Sequence, residues 1–224
     1  MTENGKLKEG GNGATLPVSA LADEANSRAR LLGLLALLFR DQPSSTLLEQ
    51  LRETELQAVF AELDVDLGED FRKLPVGQLA EQLAVEFTEL FLLPGYLISP
   101  HESVQVPGGK GLLRGPETTY VANYYRAAGF KLDETTPLEP DHLSIELEFI
   151  AHLATLEADC LRQQDSATAQ DIRCYQKDFL QRHLGRWSTV FLNKVADATK
   201  EPFYREIALL TRDFLVQEQA RLNE

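Results

Sequence analysis

The sequence is short of cysteine, of basic residues and of long apolar runs, and each shortage removes a class of protein. Its two cysteines, Cys160 and Cys174, are too few for a disulfide framework and have no metal-ligand spacing, so they read as incidental thiols in a reducing compartment. Lys and Arg number 22 against 35 Asp and Glu, a formal net charge of −13. That balance argues against nucleic acid, whose phosphates are bound by cations, and it suits a basic partner. The most hydrophobic stretch, Leu31 to Phe39, is flanked by Arg30 and Arg40 and is far shorter than the roughly 20 apolar residues of a membrane span. The first 17 residues have no apolar run of the signal-peptide kind, so residues 1–18 are expected to form a flexible tail and the protein to be cytoplasmic.

Val-Ile-Thr runs suited to strands are also scarce, whereas Leu, Ala, Glu and Gln abound. Leu21, Ala25, Leu32, Leu35 and Phe39 predict a first helix from about Ser19 to Arg40, ended by Asp41-Gln-Pro43. Ser44 or Ser45 can cap a short second helix with Leu47, Leu48 and Leu51, and Leu56, Val59, Phe60 and Leu63 mark a third. Residues 64–70 read as a loop. Leu79, Leu83, Phe87, Leu90 and Phe91 form the next stripe, stopped by Pro94-Gly95. From Pro94 to Pro116 periodicity is lost, and so long an irregular segment inside a domain tends to be functional.

Pro116 suits a helix start and Gly129 its stop, with Tyr120 and Tyr124 between them. Residues 130–140 form an acidic connector that reads as a hinge between sub-halves 19–129 and 141–222. Four more stripes follow: Ile145 to Cys160, Ile172 to Leu184 with a stop at Gly185, Trp187 to Val195, and Phe203 to Phe214 after Pro202. The expected fold is all-α, a single bundle-like domain of about eight or nine helices.

Catalytic motifs are absent. Glu139-Pro-Asp-His142 has the E-x-x-H spacing of di-iron bundles, but no second copy exists and its proline places it at a helix start. The cluster around Gly108, Gly109 and Gly111 follows no strand and completes no phosphate-binding loop. No cofactor or metal is expected. The competing function is a helical enzyme holding a metal or nucleotide at the 139–142 turn.

Three stretches carry a specific likeness. Glu86-Phe-Thr-Glu-Leu-Phe91, Pro94-Gly95 and Ser99-Pro-His-Glu-Ser-Val104 form the first; Glu139-Pro-Asp-His142 with Leu143, Glu146, Leu147 and Phe149 the second; His183-Leu184, Trp187-Ser188, Phe191-Leu192 and Pro202-Phe-Tyr204 the third. In this order they resemble the TorD/DmsD family of molybdoenzyme-assembly chaperones, over roughly Ala22 to Leu215. The resemblance implies an all-helical cytoplasmic protein that binds a molybdoenzyme precursor, commonly at its twin-arginine leader peptide, and delays export until the cofactor is inserted. It also implies either a monomer or a domain-swapped dimer, and weak guanine-nucleotide binding in some members. His101 departs from the pattern, which often has an aromatic residue there.

A twin-arginine leader joins two guanidinium groups to an apolar run, so its receptor needs carboxylates beside a greasy groove. Glu86, Glu102 and Asp141 are the candidate acids, and Leu90, Phe91, Pro100 and Tyr120 the candidate walls, with His101 and His142 beside them. On spacing alone, Phe87, Leu90 and Phe91 are most simply core residues of an amphipathic helix. Asp141 could instead cap the helix after Pro140, and His142 could simply pack against the loop. The resemblance assigns Asp141 and His142 to client binding.

Overall fold

The structure, a computed structural model, describes residues 17–93, 97–108, 110–132 and 136–223. Among them the regular elements are eleven helices: α1 (Val18–Arg40), α2 (Ser45–Leu51), α3 (Thr54–Glu62), α4 (Glu69–Lys73), α5 (Val76–Phe91), α6 (Glu102–Gln105), α7 (Pro116–Ala127), α8 (Leu143–Arg162), α9 (Ser166–Arg182), α10 (Leu184–Ala198) and α11 (Pro202–Arg221). Nine of these are the helices that periodicity predicts. The additions, α4 and α6, are single turns too short to show a period. The expected tail, apart from residues 17 and 18, lies outside the described residues, as do the Pro94-Gly95 stop and the middle of the 130–140 connector.

Local chemistry explains the boundaries. Ser44 caps α2 by accepting from the Leu47 N–H, and Pro116 occupies the first turn of α7, where its missing N–H is not needed. Gly129, at φ +71, closes the end of α7 in the left-handed region. Gly185 is a correction: it does not stop a helix but lies in the first turn of α10. The chain breaks instead at His183, between α9 and α10. A Cβ at Gly185 would come within 2.6 Å of the Leu180 carbonyl oxygen and collide with Gln219, so glycine here allows α11 to approach closely.

The long α1 lies along α8. Buried alanines on both, Ala22, Ala25 and Ala29 on one and Ala151, Ala154 and Ala158 on the other, leave room for a close approach. Helices from both sides of the connector share one apolar core, which holds Phe39, Phe91, Phe149, Phe179, Trp187 and Phe191. The α1–α8 contact is fastened by a buried charge cluster. Arg28 donates to Glu157 at 2.9 Å and lies 3.4 Å from Glu218, while Arg173 and Gln176 on α9 also donate to Glu157. Burial alone would push the Glu157 carboxyl up, but these hydrogen bonds and the charges of Arg28 and Arg173 overcome it and hold the group below its ordinary range. None of the described helices is long and apolar enough to cross a membrane.

Candidate functional site

Two of the stretches singled out by sequence, some forty residues apart, meet in space. They meet at a single antiparallel bridge between His101 and His142: the Glu102 N–H donates to the Asp141 carbonyl at 2.9 Å and the Leu143 N–H to the Pro100 carbonyl at 2.8 Å. Where the bridge ends, one chain turns into α6 and the other into α8. This joint brings Pro100, His101, Glu102, Asp141 and His142 together.

Asp141 is fully buried. One carboxylate oxygen accepts from the Ser103 N–H at 2.9 Å and the other from the Thr118 hydroxyl at 3.0 Å. It therefore caps α6, across the joint, and pins the first turn of α7. The sequence-based alternative, Asp141 as the cap of α8, is corrected, since that cap is His142. Its Nδ1 accepts from the Ser144 N–H at 3.1 Å and sits 2.8 Å from the Ser144 hydroxyl. The two imidazoles of His101 and His142 pack edge to face, with centroids 5.0 Å apart. Burial, followed by the nearby charges of His101 and Arg40, pushes His142 down to about 3, and burial also lowers His101.

Below the joint lie two more buried carboxyls. Glu102 faces His183 Nδ1 at 2.9 Å, and Glu146 accepts from the Trp187 indole N–H at 3.2 Å. Glu146 Oε1 has no partner among the described residues. Burial raises both carboxyls, and the mutual proximity of Glu102, Asp141 and Glu146 adds to the shift. Tyr125 closes the cluster by donating to the Pro140 carbonyl at 2.8 Å, and its hydroxyl is pushed well up by burial and by the same acids.

Glu86, Leu90 and Phe91 stand elsewhere, on α5. Glu86 is buried and accepts from the Thr199 hydroxyl and from the Lys200 and Glu201 N–H groups, so it holds the α10–α11 turn. Phe91 lies inside an aromatic cluster, 4.9 Å from Phe87 and 6.2 Å from Phe191 by ring centroids. Leu90 lines a cleft of about 420 Å³ with Glu86, Glu89, Leu93 and Lys200. Tyr120 belongs to neither group. It is 57% exposed and lines a groove of about 840 Å³ between α7 and the α9–α10 junction.

The E-x-x-H pair diverges. The Glu139 carboxylate is bound by Arg114 at 2.7 Å, while His142 turns inward to Ser144. Among the described residues no group of three or more His, Cys, Asp or Glu could hold a metal. Sequence reasoning did not select His183 for the site, though its stretch was noted; its role depends on Glu102, which is remote in the chain.

Residues 41–193 match the sequence family described as nitrate reductase delta subunit. The TorD chaperone of Shewanella pealeana is 27% identical over 200 residues, covering 82% of this chain and 84% of that protein. TorD of Vibrio cholerae is 31% identical over 144 residues, 64% of this chain and 63% of that one. A selenate reductase assembly chaperone of Thauera selenatis is 29% identical over 148 residues, covering 64% and 72%. In fold, the chain is similar to a crystal structure of a redox enzyme maturation protein from Archaeoglobus fulgidus, with a TM-score of 0.52, 18% identity and coverage of 95% and 99% of the two chains. Its all-helical fold, its ordered motifs and these relatives agree: the chain belongs to the TorD/DmsD family of molybdoenzyme-assembly chaperones.

Proposed function

We propose that this chaperone acts in the cytoplasm on the precursor of a molybdoenzyme of the DMSO/TMAO-reductase superfamily. It holds the twin-arginine leader of that precursor and delays export until the cofactor is in place. The observation that carries this reading is the cleft at the end of α5. There Glu86 and Glu89 stand beside Leu90 and Leu93, and Val85 and Leu92 nearby are 61% and 58% exposed. Acid next to apolar surface is what a leader with two guanidinium groups and an apolar run requires.

Within the cleft the roles divide by burial. Glu86 is committed to the α10–α11 turn, whereas the Glu89 side chain is 44% exposed and, among the described residues, pairs with the solvent-facing Lys200 at 3.0 Å. An exposed pair of this kind is worth at most about 1 kcal/mol, so a leader guanidinium can replace it. The C-terminal end of α5 favours a cation further through its helix dipole. At the joint, apart from the cleft, His101, Glu139 and Pro140 keep some surface for a further contact, while Asp141 and His142 hold the joint from within.

Titration calorimetry with a synthetic twin-arginine leader tests the proposal. Binding is expected at micromolar strength or better. It should weaken about tenfold when the paired arginines become lysines, which cannot form the bidentate fork. Glu89→Gln should give a loss of similar size. A leader that does not bind, or one that binds equally well to Glu89→Gln and with lysines, would overturn the reading.

A further inference from the structure

The groove between α7 and the α9–α10 junction is used neither by the proposed leader site nor by the joint. Its floor is aromatic. The rings of Tyr124 and Tyr175 lie 5.5 Å apart by centroids, and His183 packs edge-on to Tyr124 at 4.9 Å. The hydroxyls are already engaged, Tyr124 with Asp178 and Tyr175 with the Tyr124 carbonyl, so the floor has ring faces to offer. The rim is cationic: Arg182 and Arg186 are both exposed. Asp178, the single acid of the lining, is consumed by the Tyr124 hydroxyl and by Arg182 Nε at 2.6 Å. Among the described residues Arg186 makes one side-chain hydrogen bond, from a single terminal nitrogen to the Arg182 carbonyl. In a chain of net charge −13, this lining is a local exception.

Tyrosine and arginine are the residues that dominate protein–protein hot spots. Tyr faces supply large contact area at small entropic cost, and exposed guanidinium groups fork onto carboxylates. A volume of about 840 Å³ accommodates a few residues of an extended chain. We propose that this groove is a second binding site, which takes an extended acidic peptide segment of a protein partner, with an aromatic or proline side chain on the tyrosine floor and a carboxylate at Arg182 and Arg186. The chemistry is opposite to that of the basic leader, so the inference does not depend on the leader reading. The groove also has a mechanical link to the joint. His183 forms part of its floor and bonds Glu102, and α7 forms one wall and is pinned to Asp141 through Thr118.

The test is selection from a random peptide library displayed on phage, using the full chain, followed by fluorescence anisotropy with the selected peptides and with a twin-arginine leader peptide. The expected selection is enriched in Asp or Glu beside an aromatic residue or proline. Arg186→Glu should weaken those peptides at least tenfold with leader affinity unchanged, and Tyr120→Ala should weaken them at least threefold. Both side chains are exposed, and an unchanged melting temperature with unchanged Trp187 emission confirms that each variant is folded. Selected peptides without acidic bias, or with equal affinity for Arg186→Glu, would overturn the inference. So would displacement by equimolar inorganic phosphate or a nucleoside triphosphate, which would make the groove a small-anion site. Loss of leader binding in the same variants would also overturn it, by making this the leader's own groove. If no leader binds anywhere but the acidic peptides still require Arg186, the leader reading falls and this one stands.

Discussion

Two clusters of charged side chains are buried in this protein, and they meet the cost of burial in opposite ways. Around Glu157 each carboxylate is matched by guanidinium: Arg28 and Arg173 on Glu157, Arg28 and Arg221 on Glu218. Around Asp141 three carboxylates, Glu102, Asp141 and Glu146, gather with no buried guanidinium among the described residues. They rely on a backbone N–H, a hydroxyl, an indole and an imidazole. Burial with a cation lowers the Glu157 carboxyl; burial without one raises Glu102 and Glu146. The first cluster fastens four helices and lies away from the family motifs. The second lies where two of those motifs cross, and it concentrates uncompensated polar groups at a joint between irregular segments. Such placement is characteristic of parts of a fold kept for function at the expense of stability.

The sharpest way to break the contrast is to remove an anion from the compensated cluster. Glu157→Ala leaves Arg28 and Arg173 without their buried carboxylate and should destabilise the fold by about 3–5 kcal/mol. Urea denaturation measures this. A loss under about 1 kcal/mol would mean that the network is not the fastening its distances imply.

The joint comes next. Asp141→Ala leaves the Ser103 N–H and the Thr118 hydroxyl without an acceptor and should cost about 2–3 kcal/mol, whereas Asp141→Asn, which retains one acceptor, should cost about 1 kcal/mol. If Asp141 instead served only as a surface charge, both substitutions would leave stability unchanged.

The smallest effects are those of pH. Glu102 and Glu146 have raised values, so their contribution is fully present below the unfolded value of about 4.5 and is lost as pH rises through the folded one. His142 is depressed to about 3, so its contribution is present above the unfolded value of about 6.5 and is lost as pH falls toward 3. Glu146→Gln should therefore come nearest the parent below pH 4.5 and gain on it as pH rises. His142→Asn, which retains a capping oxygen, should match it at pH 7 and lose less stability on acidification. Melting temperatures across pH 4–8 read both slopes, and parallel profiles for parent and variants would sink the assignment.

Much of this was legible in the sequence, for reasons that are local. Pro43, Ser44, Pro116 and Gly129 act on their own backbone or on that of near neighbours, and they mark helix ends whatever the rest of the chain does. Apolar spacing likewise predicts α1, α5 and α8 and places Trp187 inside. The candidate site was legible as a set of motifs but not as an arrangement. Glu86, Glu102 and Asp141 were all read as acids facing a partner, and the structure buries each of them against donors from another segment.

The sequence by itself determined the helical class, nine of the helices among the described residues and the family, because helix formation and motif order depend on residues a few positions apart. Only the tertiary structure decided which polar groups face one another. It made His142, not Asp141, the cap of α8, and it put Gly185 inside a helix because Gln219 and the Leu180 carbonyl crowd it. It also separated Glu86 from Asp141 and Tyr120 from both. Donors and acceptors pair across chain separations that no local period encodes, and burial, which sets their charge, is a property of the whole packed core.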